Sequence, residues 1–297
     1  QDIKMTLERR PGVQTPSPEK ATAVQCASCG APLLLDDEFN CTFCGAHIEP
    51  GEADWGVRYI GIMWHDEITT QNLLSEAPER GTDDPTLVSP SIETNLARIV
   101  AEHCEATGEQ GLEPGAYSSK WLTSFENQVA KPIFLAIYKH WDSMDWARAH
   151  PYMTDRLWES MNYWIESYRK YGYRNKLDDV EIYDMKLAKA DIDKYYHSLT
   201  LRIWAKAKDY VIDDKTGKVL KGKKNTDRRF SEYWTFIKHK DVHLEAEQSV
   251  NLNECPNCGA DIEMNQSGVC GYCETKVNTG EFNWVLAFID QDEVYGR

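Results

Sequence analysis

Four Cys-x-x-Cys pairs, written as two copies of one paragraph, constrain this chain more than any other feature. Cys26/Cys29 and Cys41/Cys44 make up the first copy, and Cys255/Cys258 and Cys270/Cys273 the second. Eleven residues separate the pairs in each copy, and an offset of 229 holds without a gap from Cys26 to Ile60. At that offset Gly30 matches Gly259, Ala31 matches Ala260, Gly51 matches Gly280, Glu52 matches Glu281, Trp55 matches Trp284 and Ile60 matches Ile289. Identities outside the cysteines mean that a whole module is duplicated, not a metal loop alone.

The module's chemistry follows from its ligand types. Two turns, each presenting two thiolates, supply the four soft donors that structural zinc takes in a tetrahedron. Glycine after Cys29, Cys44 and Cys258 suits the tight turn that aims amide N–H groups at sulfur, and Glu274 replaces it after Cys273. The pattern is that of a zinc ribbon with one Zn2+ per copy, two per chain. Two disulfides per module is the competing reading, and repeated CxxC hairpins argue against it. A redox role would place the pairs at a strand-to-helix junction, which they do not occupy. Sites filled by four protein ligands are closed and do no catalysis. The ninth cysteine, Cys104, falls on a predicted helix and is read as packing.

Each copy runs on into GEADWGVRYI or GEFNWVLAFI, where bulky residues alternate as in a strand. A ribbon is too small to bury an indole by itself. Trp55, Tyr59, Trp284 and Phe288 are therefore expected to dock on something larger.

The chain between the copies supplies a larger domain. Residues 63–95, broken by Pro78, Gly81, Pro85 and Pro90, read as mostly linker with a short helix. Residues 96–107 read as a helix. From Ser118 to Trp141 apolar residues recur every four positions, an amphipathic helix that Pro132 should kink. A second helix opens at Pro151, with Thr154 as N-cap and Gly172 as its stop. The period then changes to two. Strands are expected at 178–191, at 199–207, where Leu201, Ile203 and Ala205 alternate with Arg202 and Trp204, and at RRFSEYWTFIKHK from Arg228. DDKTGK at 213–218 is a hairpin turn. Trp204, in the opposite phase from Leu201, meets a second layer or a partner. Helices followed by long antiparallel strands make an α+β domain, a curved sheet wrapped on helices around a cone-like cavity.

Residues of roughly 115–242, and RRFSEYWTF at 228–236 above all, resemble a bacterial Tim-forty-four-like domain, with its arginine, aromatic and E-x-W-T-F pattern. Bacterial members often add a C-terminal zinc ribbon ending in W-x-L, as Trp284-Val-Leu286 does. The resemblance implies a nuclear-transport-factor-two-like cone, no catalysis, and work as a membrane-linked tether or scaffold. A second ribbon ahead of the domain, and the lack of any apolar run near the roughly 18 residues of a membrane-spanning helix, depart from that pattern.

Rival functions find less support. An enzyme of the isomerase or dehydratase kind would need two of His140, Asp142, Asp145, His150 and His197 aimed at one pocket. Nucleic-acid binding is disfavoured by a net charge of −15 and by a first ribbon carrying Asp36, Asp37, Glu38, Glu49, Glu52 and Asp54. Residues 215–229 are the exception. Lys215, Lys218, Lys221, Lys223, Lys224, Arg228 and Arg229 there face one Asp227. Either they form a solvated hairpin tip or they contact phosphates of anionic lipid or structured RNA. The expected organisation is an extension at 1–25, ribbon one at 26–62, linker at 63–95, the cone at 96–245, and ribbon two with its tail at 250–297. The expected function is a non-catalytic scaffold that binds a protein partner in a larger assembly, cytoplasmic and at the inner face of a membrane.

Overall fold

A computed structural model describes residues 2–13, 26, 28–29, 31, 36, 38, 40–48, 55–64, 67–75, 81–107, 116–242, 254–261 and 268–296. Gly30, Asp37, Glu49, Gly51, Glu52, Asp54 and Pro78, named above, lie outside the described residues. The chain forms two compact units, Gln1–Glu67 and Ile68–Arg297.

In the first unit β1 (Asp2–Glu8) pairs antiparallel with β2 (Gly56–Trp64), placing Met5 opposite Ile60 and Leu7 opposite Val57. The expected extension at 1–25 is thus a strand over Asp2–Glu8. The alternation of Ile3, Met5 and Leu7 with polar neighbours is its signal. An exposed ion pair, Arg58 to Glu8 at 3.1 Å, crosses the two strands.

The second unit contains the helices α1 (Thr70–Leu73), α2 (Ile92–Thr107), α3 (Ala116–Phe125), α4 (Lys131–Ser143) and α5 (Asp155–Tyr171). One wide turn, Glu126–Ala130, joins α3 to α4, and the Lys131 N–H donates to the Glu126 carbonyl across it. Pro132 follows at once. Proline lacks an N–H and crowds the carbonyl four residues back, so widening the helix there accommodates it. The kink expected at Pro132 is taken up by this turn. Pro151 lies in a tight turn over Trp146–Tyr152 and does not open the next helix, which begins after Thr154. Gly172 ends α5 in left-handed backbone, with φ 69°.

Five strands follow: β3 (Tyr173–Ile192), β4 (Tyr196–Asp213), β5 (Val219–Gly222), β6 (Arg228–His239) and β7 (Val285–Gln291). The sheet runs β3-β4-β6-β7, all antiparallel, with β5 beside one end of β4. β4 and β6 pair without a slip from Tyr196–His239 to Ala207–Arg228. β3 and β4 slip three times, at Asp178/Glu181, Ile182/Asp184 and Leu187/Lys189. Bulges of this kind bend long strands, and here they curve the sheet around the helices. Leu199, Leu201, Ile203, Ala205 and Ala207 of β4 are wholly buried, in one core with Ile133, Phe134 and Ile137 of α4. Each such Leu or Ile contributes about 1.5–3 kcal/mol. Cys104 packs against the same core from α2.

The opposite phase of β4 meets a second layer, one of the two outcomes expected for Trp204. Thr200 and Arg202 are buried as well. Arg202 donates to the carbonyls of Gly81 (2.7 Å) and Asp84 (2.5 Å), and pairs with Asp292 at 3.0 Å. The Leu87 N–H donates to Tyr233 Oη, and the Ser89 N–H to the Ala188 carbonyl. Tyr295 stacks on Tyr233 at 3.8 Å. Residues 81–89, inside the expected linker, and residues 292–295 are therefore a second layer on the outer face. A guanidinium with five donors can be buried because backbone carbonyls and a carboxylate meet it there.

Candidate metal centres and interaction surfaces

The two cysteine clusters are built alike. In the first, the Cys26 N–H donates to the Ala31 carbonyl, Cys41 N–H to Ala46, and Gly45 N–H back to Cys41. In the second, Cys255 N–H donates to Ala260, Cys270 N–H to Thr275, and Glu274 N–H back to Cys270. Single β-bridges join Asn40 to His47 and Val269 to Lys276, positions related by the same offset. The duplication read from the sequence is thus a duplication of hydrogen bonds. Gly45 takes the left-handed backbone its turn requires (φ 70°), and Glu274 takes it too (φ 57°) although it is not glycine.

All four sulfurs of each cluster lie within 4.8 Å of one another. Cys26 Sγ is 3.7 Å from Cys44 Sγ, and Cys29 Sγ is 4.0 Å from Cys41 Sγ. The corresponding separations in the second cluster are 3.8 Å for Cys255–Cys273 and 4.0 Å for Cys258–Cys270. A disulfide needs about 2.05 Å. Four sulfurs about 2.3 Å from a central zinc stand about 3.8 Å apart, so the donor set fits that ion in kind and in spacing. Backbone N–H groups of Cys29 and Ser28 lower the Cys26 thiol to about 7. Asn257 and Thr275 lower Cys273 to about 6. The Ala31 and Ala260 amides act in the same direction on Cys29 and Cys258, but burial and the crowding sulfurs push both up to about 12. A dication among the sulfurs would offset that crowding.

The tails of the two copies meet different surroundings. In the second, β7 adds to the sheet beside β6, and Trp284 is only 4% exposed. Its ring lies edge-on to Phe125 at 5.0 Å and to Trp121 at 6.4 Å. Polar contacts fix ribbon two beside it. Lys276 pairs with Asp155, and Asn278 donates to Asp155 Oδ1 (2.7 Å) and to the Met153 carbonyl (3.1 Å). Burial alone would raise the Asp155 carboxyl, but Lys276, Asn278 and His150 outweigh it and hold it low. In the first copy Trp55, Val57, Tyr59 and Ile60 stand exposed, as do Met5 and Leu7 on the paired strand. Arg9 covers the Trp55 ring at 4.6 Å.

Several expected docking and anion-contact residues are engaged internally. Trp284 is core. Trp204 donates from Nε1 to the Thr82 carbonyl at 3.2 Å, so it meets the outer layer. Phe288 remains exposed, with Arg156 at 5.7 Å from its ring. In the basic stretch Lys221 donates to the Leu74 carbonyl and Arg228 pairs with Asp209. That leaves Lys215, Lys218, Lys223, Lys224 and Arg229 on the surface.

The groups an enzyme would need are dispersed. His150 binds Asp155 and stacks on Trp158, His197 binds Glu102 at 2.7 Å, and Asp142 pairs with Lys176. Burial lowers the His140 imidazole, which lies along Tyr152. A cavity of about 180 Å³ opens between α4 and the sheet, and none of His140, Asp142, Asp145, His150 or His197 lines it. Of the two carboxyls that line it, Asp209 and Glu232, both half-buried, Glu232 belongs to the RRFSEYWTF strand. A Glu in the apolar phase of Phe230, Trp234 and Phe236 was the sequence signal for it.

Among the described residues no helix is long and apolar enough to cross a membrane. Residues 122–249, less than half of the chain, match the family model of the Tim44-like domain. No curated protein matches the chain.

Proposed function

We propose that this chain, whose centre is a Tim44-like domain, is a non-catalytic scaffold that holds a protein partner within a larger assembly at the inner, cytoplasmic face of a membrane. The observation that carries the reading is the difference between the two tails. The second copy spends its aromatic strand on the cone. The first keeps Trp55 and Tyr59 exposed, at 52% and 53%, on a two-stranded ribbon of the kind that is marginal by itself. Aromatic side chains are frequent anchors of a protein interface. Cys26, Cys29, Cys41 and Cys44 would hold one zinc, and Cys255, Cys258, Cys270 and Cys273 the other. Each ion would supply folding free energy and no chemistry, since four protein ligands leave it no open position. The remaining surface cations, Lys215, Lys218, Lys223, Lys224 and Arg229, would add salt-sensitive attraction to anionic lipid, about 1 kcal/mol each close to the surface.

A photo-crosslinking residue at Tyr59, expressed in the source cell, tests the reading. Cross-links to a distinct protein, reduced by Trp55→Ala, are expected. Cross-links confined to the chain's own cone would refute it, as would turnover of a small molecule that depends on His140 or His197.

A further inference from the structure

The two units share more than their cysteine clusters. Six strand pairs in the first, from Ile3 opposite Ile62 to Glu8 opposite Gly56, have counterparts in the second, from Glu232 opposite Gln291 to Ile237 opposite Val285, all at the offset of 229. On that alignment β1 corresponds to β6 and β2 to β7. Both pairings slip at the same place, between Thr6 and Leu7 and between Thr235 and Phe236, so Arg58 and Ala287 are matching bulge residues. The match continues past the strands. Arg9 lies over the Trp55 ring at 4.6 Å, and Lys238 over the Trp284 ring at 5.8 Å. The Val13 N–H donates to the Arg10 carbonyl, and the Val242 N–H to the His239 carbonyl. Thr6 and Thr235, and Val13 and Val242, are identities at the same offset. The repeated unit therefore begins with a strand of the cone and not with the first cysteine.

β6 has neighbours that β1 lacks. Along its other edge β6 pairs with β4, which sets Leu201 opposite Trp234, Thr200 opposite Thr235 and Leu199 opposite Phe236. The Thr200 and Thr235 hydroxyls meet at 2.9 Å. Over the inner face, Phe134 of α4 packs on Trp234 at 4.7 Å and Phe125 of α3 on Phe236 at 5.6 Å. Trp234, Phe236 and Leu286 are wholly buried as a result. Their counterparts Met5, Leu7 and Val57 are also apolar but stand exposed, and β1 and β2 form a sheet of two strands among the described residues. Ile60, the counterpart of Ile289, is exposed as well. An apolar face kept on a sheet with an unpaired edge marks an interaction surface. Covering it takes two things at once, a strand along β1 and an apolar layer over the face. A lone extended peptide supplies the first, a lone helix the second, and a cone supplies both, as it does for β6. The cone of this chain, in this or a second copy, has no such place free. Its β4 pairs with β6 from Tyr196–His239 to Ala207–Arg228, and Trp284 fills the space beside Phe125.

We infer that the β1–β2 face docks into a second Tim44-like cone, one whose helices and long β3–β4 hairpin lack a β6 and a β7 of their own. β1 would add to that hairpin as β6 does here, and Met5, Leu7 and Val57 would enter its core where Trp234, Phe236 and Leu286 enter this one. Backbone hydrogen bonds along the edge supply affinity, and the alternating apolar side chains fix the register. Met5 and Leu7 are smaller than Trp234 and Phe236, so the partner's own side chains fill the volume those rings take here. The inference rests on the reading of the first copy's tail as a partner surface, and it names the partner's fold.

A photo-crosslinking residue at Leu7 of the full chain, expressed in the source cell, tests this, with the linked peptides identified by mass spectrometry. The expected product joins Leu7 to a Tim44-like domain other than residues 122–249 of this chain, at its β4-like strand or the helices behind it. Met5→Asp should lower the yield at least about ten-fold by placing a carboxylate in that core. Hydrogen exchange of the isolated full chain gives a readout that needs no partner. Amides of 3–8 should exchange at least about a hundred-fold faster than those of 232–237, because only the latter strand is paired on both edges and covered. Equal protection would overturn the inference, as would an unchanged yield with Met5→Asp. Links from Leu7 to residues 196–213 of this chain, links to a protein without such a domain, or no link would each overturn it too. In those last two cases a Tyr59 cross-link to a distinct protein would leave the scaffold reading standing. A link to such a second cone on the same polypeptide would support the inference and refute the distinct partner of that reading.

Discussion

Trp55 and Trp284 occupy the same position of one repeat, yet truncating them should have unequal consequences. Trp284 is 4% exposed and touches Phe125 and Trp121 edge-on. A buried tryptophan removes about 150–250 Å² from water. At about 25 cal/mol per Å² that is about 4–6 kcal/mol, an upper figure because unfolded chains already bury part of it. Trp→Ala substitutions in cores cost about 3–5 kcal/mol. Trp284→Ala should therefore destabilise the second unit by about 4 kcal/mol. Trp55 is 52% exposed and its one described ring partner is Arg9, at 4.6 Å. A cation over an exposed ring contributes about 0.5–1 kcal/mol, so Trp55→Ala should cost the isolated protein under about 1 kcal/mol. The assay is denaturant unfolding of zinc-replete protein, followed by near-ultraviolet circular dichroism. Elemental analysis of the same samples should give two zinc ions per chain for wild type and both variants, because neither indole is among the sulfur clusters. Similar losses for the two variants, or a loss of one zinc with Trp284→Ala, would refute the reasoning.

Two further outcomes follow from strained or buried groups. Glu274 holds a left-handed backbone (φ 57°) that costs a residue with a Cβ about 1–2 kcal/mol. Glu274→Gly should stabilise ribbon two by up to about 1 kcal/mol after glycine's own entropy cost, and slow zinc transfer to a chelator; a faster transfer would contradict this. Lys238 is buried, and burial lowers its ammonium from 10.5 to about 8. The unfolded chain keeps that proton up to pH near 10.5 and the folded chain loses it near 8, so stability should rise between those values and be lowest below them. Lys238→Met should flatten that rise and stabilise the protein at pH 7 by up to about 3 kcal/mol; unchanged pH dependence in its unfolding curves would count against it.

The parts of the fold that repeat were legible in the sequence. The fixed offset gave both cysteine clusters. The two-residue period in Leu199–Ala207 gave β4, and Thr154 and Gly172 bracketed α5. What stayed hidden depends on contacts far apart in sequence. Gly81, Pro85 and Pro90 break regular structure, and breakers look alike whether a segment is solvated or laid over a sheet. Arg202, whose guanidinium needs the Gly81 and Asp84 carbonyls, distinguishes the two, and those carbonyls lie more than a hundred residues away. Trp284 was expected to bury itself, but nothing local says whether the acceptor is this chain or another. Asn278 and Lys276, which fix ribbon two to Asp155, are Glu49 and His47 in the first copy. That exchange was visible once the copies were aligned, but it has meaning only beside Asp155.

The order in which the sheet is assembled bears on synthesis. β7 completes the edge beside β6, and the indole that caps Trp121 and Phe125 comes from residue 284. A ribosome makes that strand after all the other strands and helices it packs with. The helices and β3–β6 emerge with an uncovered aromatic patch, and the patch closes only when ribbon two has emerged behind it. Ribbon one, made first from residues close in sequence, faces no such delay. If the cysteine clusters take zinc, its supply at the moment of translation would therefore act on two timescales in one chain. It would act early on a module built from residues close in sequence, and late on one whose closure also seals the cone.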